Sequence, residues 1–292
     1  MTCVAMAIDQ QAPGAARGRL LAELPLTEQR VSVARVDTAL LEGGEGPPLV
    51  LLHGGIECGG AYWAPVVADL MREPYRLVIP DVPGLGESEP VEKLDAGSFG
   101  EWFDDLLRLT CREEPTVVAH SLVGTLAARF AAAHPDRLRR LVIYAVPGIG
   151  PYRMPLGLRA VAIRFAIRPT EANMERFERF AFQDLDAARD RDGDWLAAFS
   201  GYTRSRAVVP HVKRTMRQLI GSCTKRIPDD ELRRITVPVG LVWASGDRFV
   251  PLPLAEAASR RLGWPLEVVD DAGHVPHIER PEAFLRALSA LL

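Results

Sequence analysis

Residues 116–124 read Thr-Val-Val-Ala-His-Ser-Leu-Val-Gly, and alanine-rich sequence runs on from there to Ala133. An apolar β-branched run ends, a serine follows, and helix-forming sequence begins at once. That order predicts a strand, a sharp turn and a helix, with Ser121 held above the carboxyl end of the strand. So tight a turn needs small residues two before and two after the serine. Ala119 meets the condition, Val123 does not, and Gly124 relieves the crowding only in part. The first turn of a helix leaves backbone N–H groups free, so the Leu122 amide is a candidate oxyanion donor. Taken alone, Ser121 also reads as an N-cap serine that merely opens a helix.

Outward from this stretch, short runs rich in Val, Ile and Leu recur: Pro48–His53, Tyr75–Asp81, Leu138–Ala145, Val237–Trp243 and Leu266–Val269. Arg30–Ala34 and Thr38–Leu41 read as an opening strand pair. Helical patterns alternate with these runs at Ala61–Met71, Ser98–Cys111, Leu122–Ala133, Pro253–Leu262 and Pro281–Leu292. Strand–helix alternation predicts an α/β fold with a mostly parallel sheet covered on both faces. The alternation stops between about residues 148 and 235, where Met174, Phe177, Phe180 and Ala181 fall on one helix face. A helical cap over 148–235 is therefore expected, inserted between core segments 26–147 and 236–292. Residues 1–25 read as a loosely attached extension.

Two further strand ends carry chemistry. Residues 241–251, Leu-Val-Trp-Ala-Ser-Gly-Asp-Arg-Phe-Val-Pro, put Asp247 in a glycine turn, and residues 270–281, Asp-Asp-Ala-Gly-His-Val-Pro-His-Ile-Glu-Arg-Pro, put His274 at the next strand end. One helix separates them, and a β-α-β unit brings both strand ends to the same sheet edge as Ser121. Serine is a poor nucleophile without an adjacent base. Imidazole exchanges a proton near neutral pH, and a carboxylate fixes its tautomer. His277 competes as the base, but His274 follows Gly273 directly at the strand end, so His277 is assigned to loop structure. Asp270 and Asp271 are assigned to a solvated strand end.

After Pro48–Leu52 comes His53-Gly54-Gly55. A backbone amide here can complete an oxyanion hole, with Gly55 the candidate and Gly54 its alternate. Tyr62 and Trp63, a little further on, read as packing residues. The loop Asp81-Val-Pro-Gly-Leu-Gly-Glu-Ser88 is assigned to structure. Gly84 and Gly86 do not open a helix within a dinucleotide-binding pattern, so no such cofactor is expected.

Composition adds boundaries. Of 292 residues, 48% are hydrophobic and 25% charged, the balance of a globular domain. A net charge of −3 supports neither nucleic acid nor an anionic membrane as partner. Cys3, Cys58, Cys111 and Cys223 form no metal-binding or redox pair, so no metal is expected and a reducing cytoplasm is. No secretory leader is read at the N-terminus, and no apolar run is long enough for a span. Residues 151–235 hold seventeen Lys/Arg against eleven Asp/Glu, a net +6. A basic cap suggests an anionic substrate, and a solvated helical surface explains the count equally well.

Taken as a set and in this order, the HGG, DVPGLGES, AHSLVG, SGDRFVP and AGHVPHIERP elements resemble the α/β-hydrolase superfamily over residues 28–292. The resemblance implies a mostly parallel eight-stranded sheet with the cap after the sixth strand. Within the superfamily, Pro147–Pro151, Arg168-Pro-Thr-Glu171 and Asp247–Leu252 look most like the meta-cleavage-product hydrolases, which split a carbon–carbon bond in vinylogous keto acids. His120 stands where that family has asparagine, and Val275 where it has tryptophan. That family also binds substrate through a cap arginine, which makes Arg204, with Arg206 as alternate, a candidate. Gly54 and His120 are further substrate-contact candidates. The resulting expectation is a serine hydrolase of a small ester, lactone or keto acid, with Ser121, Asp247 and His274 catalytic. It needs no cofactor, takes a small molecule as partner, and is compatible with a homodimer. A non-catalytic ligand-binding protein of the same fold is the alternative from another class.

Overall fold

The computed structural model describes residues 13–292, with side chains from residue 16 onward. Cys3 and residues 1–12 of the expected extension lie outside the described residues. Helix α1 (Pro13–Leu21) precedes the antiparallel pair β1 (Thr27–Val33) and β2 (Val36–Gly43). Then β3 (Pro48–Leu52), α2 (Ala64–Leu70), β4 (Arg76–Pro80), α3 (Ala96–Thr110), β5 (Thr116–His120), α4 (Ser121–Ala133) and β6 (Arg140–Tyr144) alternate. Five helices follow: α5 (Leu156–Ile167), α6 (Glu171–Ala181), α7 (Leu185–Ala207), α8 (Pro210–Cys223) and α9 (Asp229–Leu232). Sheet construction resumes with β7 (Val239–Ala244), α10 (Leu252–Leu262), β8 (Leu266–Val269), α11 (Pro276–Glu279) and α12 (Pro281–Ser289).

The eight strands form one sheet in the order β1-β2-β4-β3-β5-β6-β7-β8, and only β2 runs against its neighbours. The central strands are apolar at nearly every position because both faces are covered. Val50, Leu52, Val117 and Ala119 enter one core, while Leu49, Leu51 and Val118 enter the core on the other face. Each such Val or Leu side chain contributes about 1.5–3 kcal/mol on burial. β3 has β4 on one side and β5 on the other. Winding therefore reverses between β3 and β5, which opens a crevice at their carboxyl ends. The HGG loop and Ser121 both sit at that crevice.

The N-terminal segment corrects an expectation. Its described part is docked rather than loose: α1 packs along α7, and Arg17 and Leu20 are buried. Arg17 Nη1 lies 3.0 Å from Asp81 Oδ2, and its Nε donates to Glu28 at 2.6 Å. An arginine at this place reads as solvent-facing, but here it neutralises a buried carboxylate. Asp81 in turn accepts the Gly60 and Glu87 amides, fixing the two glycine loops beside the crevice. None of the described helices is long and apolar enough to cross a membrane.

Candidate active site

Ser121 is the first residue of α4, with φ +51°. A left-handed non-glycine residue costs about 1–2 kcal/mol, and it is held here by the β5-to-α4 turn. The serine is not a cap: position 120 occupies that place, and no side chain caps α4. Val123 is accommodated because its side chain points into the core, fully buried. The close approach falls at Gly124, where a Cβ would strike Val146 and lie 3.1 Å from the Ala119 carbonyl oxygen.

The three strand ends converge. The Ser121 hydroxyl lies 3.2 Å from His274 Nε2, and His274 Nδ1 lies 3.0 Å from Asp247 Oδ2. Asp247 Oδ1 is held by the N–H groups of Phe249 and Val250 at 2.7 and 3.0 Å. The carboxylate therefore draws the ring proton to Nδ1, leaving Nε2 to accept from the serine. All three residues are more than nine-tenths buried, with 8%, 5% and 5% exposure. Phe249 stacks on the imidazole, with ring centroids 4.3 Å apart. Sequence reading quoted this phenylalanine but gave it no task.

A second residue that sequence reading passed over is Glu279. Its carboxylate accepts the Gly273 amide at 2.7 Å and the amides of Gln183 and Asp184 at 2.6 and 3.3 Å. The His274 amide donates to the Ala181 carbonyl at 2.7 Å. The loop carrying His274 is thus fastened to the α6–α7 junction.

Gly55 and Leu122 both border the cavity above Ser121. The Gly54 carbonyl is held by His53 Nδ1 at 2.7 Å and by the Ile56 amide at 2.8 Å. In a trans peptide the next N–H points the opposite way, so the Gly55 amide is directed away from the partners that hold the Gly54 carbonyl. As the second residue of α4, Leu122 has no partner for its N–H within the helix. Gly54 serves differently from the expectation of a substrate contact alone: a Cβ there would collide with Nδ1 of His120.

The other imidazoles are buried framework. His277 Nε2 donates to the Tyr62 carbonyl at 3.2 Å, and its Nδ1 faces the Tyr144 hydroxyl at 3.3 Å. Burial pushes its pKa down to about 3. It is therefore neutral near pH 7 and already committed on both nitrogens. Asp270 and Asp271 are exposed at the strand end. His120 borders the cavity, but its ring lies between Tyr62 and Tyr144, nearly parallel to both, and Nδ1 is hydrogen-bonded with the Tyr62 hydroxyl at 3.0 Å. Burial holds its pKa well below the usual histidine value.

The cap arginines correct another expectation. Arg204 does not border the cavity. Arg206 is buried at 3.6 Å from Glu87, whose other oxygen accepts the Tyr202 hydroxyl at 2.6 Å. Both lie on α7, and neither borders the cavity. The cavity, of about 380 Å³, is walled largely by apolar groups such as Met154, Leu158, Phe165, Met174, Phe177 and Ile220. The cations that do reach it are Lys213 and Arg217 of α8. Much of the remaining cap charge is spent in pairs, such as Arg179 with Glu175 and Asp186 at 3.0 and 3.1 Å. The net +6 thus describes the outside of the cap more than its inside. Glu57 also borders the cavity, and burial pushes its carboxyl up to about 7.

A family model described as alpha/beta hydrolase fold matches residues 47–281. The chain belongs to this family. This α/β hydrolase is 27% identical over 266 residues to a pimeloyl-[acyl-carrier protein] methyl ester esterase of Aeromonas hydrophila, covering 84% of this chain and 95% of that one. It is 26% identical over 257 residues to a 2-hydroxy-6-oxononadienedioate/2-hydroxy-6-oxononatrienedioate hydrolase of Cupriavidus pinatubonensis, covering 84% and 86%. The crystal structure of carboxylesterase CesB from Bacillus subtilis superposes with a TM-score of 0.82 at 22% identity over 96% of each chain, a likeness of fold. The α/β hydrolase therefore has both a methyl ester esterase and an oxo-dienedioate hydrolase among its relatives.

Proposed function

We propose that the chain is a serine hydrolase that cleaves a carboxylic ester with a substantial apolar part, bound beneath the helices of residues 148–235 acting as a cap. The observation that carries this reading is the hydroxyl–imidazole–carboxylate line opening into an apolar cavity. His274 Nε2 takes the Ser121 proton as Oγ attacks the ester carbonyl. The N–H groups of Gly55 and Leu122 receive the developing oxyanion, each worth about a hundredfold to a thousandfold in rate. The proton passes to the departing alcohol. Water, deprotonated by the same imidazole, then releases the acid and restores Ser121. Asp247 keeps the imidazole in the required tautomer throughout.

A carbon–carbon hydrolase is the second reading. It is favoured by the relative from Cupriavidus pinatubonensis and by Lys213 and Arg217 on the cavity wall, where they could meet substrate carboxylates. It is weakened by the place of Arg204, which does not border the cavity. Turnover of p-nitrophenyl esters of increasing chain length, measured beside a ring-fission dienoate, separates the two. The ester reading expects rates that rise with acyl length and are abolished in S121A. Loss of the dienoate chromophore without ester turnover would replace it with the second reading. Failure of a fluorophosphonate to label Ser121 would remove both and leave a binding protein.

A further inference from the structure

Helix α5 has an unusual distribution of apolar groups. Its inward side buries Leu158 and Phe165 against the cavity and α6. Its outward side is apolar as well: Leu156, Ile163 and Ile167 are 82%, 48% and 69% exposed. These are half of the strongly exposed large aliphatic side chains among the described residues. At about 100° per residue, Leu156, Ala160, Ile163 and Ile167 share one narrow stripe, with Arg159 and Arg164 on its two borders. A helix apolar on opposite sides is normally buried on both. Here one side is left uncovered.

Charge indicates what covers it. Residues 151–170 contain Arg153, Arg159, Arg164 and Arg168, all exposed, and no carboxylate. A second copy docking stripe to stripe would bring these arginines against each other. An anionic bilayer surface complements both features: aliphatic side chains enter the acyl boundary while arginines extend to the headgroups. The stripe also lies at the entrance. Ala166 and Ile167 are exposed and also border the cavity, as do Lys213 and Arg217 of α8. An apolar molecule could pass from the bilayer into the cavity without crossing water.

We propose that the outer face of α5 adsorbs to anionic phospholipid bilayers. The inference holds whether or not Ser121 is a nucleophile, because its test reads binding alone. The full chain is cosedimented with phosphatidylcholine vesicles and with phosphatidylcholine–phosphatidylglycerol vesicles. Binding is expected to the mixed vesicles, weakening with added salt. L156D/I163D should lower that binding at least tenfold. R159E/R164E should lower it by a similar factor and erase the preference for the anionic vesicles. Both variants should keep the wild-type circular dichroism spectrum, since the altered side chains are exposed. Absence of binding to mixed vesicles, or binding unaffected by either double variant, overturns the proposal. So does a wild-type dimer that L156D/I163D converts to monomer without any vesicle binding, which assigns the face to a second copy.

Discussion

The carboxylate of Glu279 accepts the backbone N–H of Gln183 at 2.6 Å, joining the loop behind His274 to the helices above the site. Its other oxygen takes the Gly273 amide, one residue before His274. One side chain therefore sets both the imidazole and the roof over it. Glu279→Gln keeps only one good acceptor and turns an NH₂ group toward amide donors. Stability is expected to fall by about 2–4 kcal/mol in chemical denaturation. The turnover number should drop about tenfold to a hundredfold, more than KM changes, through displacement of His274. Turnover equal to wild type in a folded Glu279→Gln protein would assign the residue to packing alone.

Ser121 stores backbone strain that its chemistry does not need once the hydroxyl is gone. Ser121→Ala and Ser121→Gly should both lose ester turnover and fluorophosphonate labelling. They should differ in stability, because glycine accepts the positive φ at no steric cost. The glycine variant is expected to be the more stable by about 1 kcal/mol, seen as a higher thermal midpoint. Equal midpoints would mean that the turn is relaxed in solution.

At Gly54, an added methyl group meets His120 Nδ1, and His120 has no free direction between Tyr62 and Tyr144. Gly54→Ala should therefore push the HGG loop outward, carrying the Gly55 amide with it. A loss of about a hundredfold or more in kcat/KM is expected, as for removal of one oxyanion donor. Gly55→Ala meets the flexible end of the Leu122 side chain at 2.6 Å, with Leu122 Cβ and Cγ at 3.3 Å, and should cost less. The ratio of the two kcat/KM values is the measurement.

Acid stability follows from the buried neutral histidines. His277 sits at about 3 when folded and near 6.5 when unfolded, so the unfolded chain binds the extra proton between those values. Its contribution is complete above pH 6.5 and is lost as pH falls toward 3, at up to about 1.4 kcal/mol per pH unit. Glu57, raised to about 7, acts with the opposite sign between pH 4.5 and 7. The difference between proteins is therefore the test. Wild type should lose more stability than His277→Gln between pH 6.5 and 4. Parallel curves would show that His277 takes up its proton in the native state.

Sequence patterns revealed the sheet because both of its faces are covered, leaving runs such as Leu49–Leu52 and Val117–Ala119 without polar interruption. They also showed why Ser121, Asp247 and His274 should meet, since parallel strands deliver their ends to one edge. What stayed hidden depends on direction rather than on residue type. Glu279 and Arg17 look like any surface charge until their partners, Gln183 and Asp81, are seen. Arg204 looked suited to a substrate carboxylate, but the turn of α7 sends it elsewhere. The sequence of α5, apolar on opposite sides of the helix, does not tell which of its two apolar stripes faces inward. The basic count of the cap similarly hid an apolar interior.

The ion pair between Arg17 and Asp81 gives the start of the chain a stake in the chemistry far from it. Trimming an expression clone to begin just before β1, at residue 26, would remove Arg17, strand the aspartate in the protein interior and free the glycine loops beside the crevice. A shortened protein of that kind would lose hydrolysis before it lost its fold, and an inactive preparation would then report on cloning rather than on substrate.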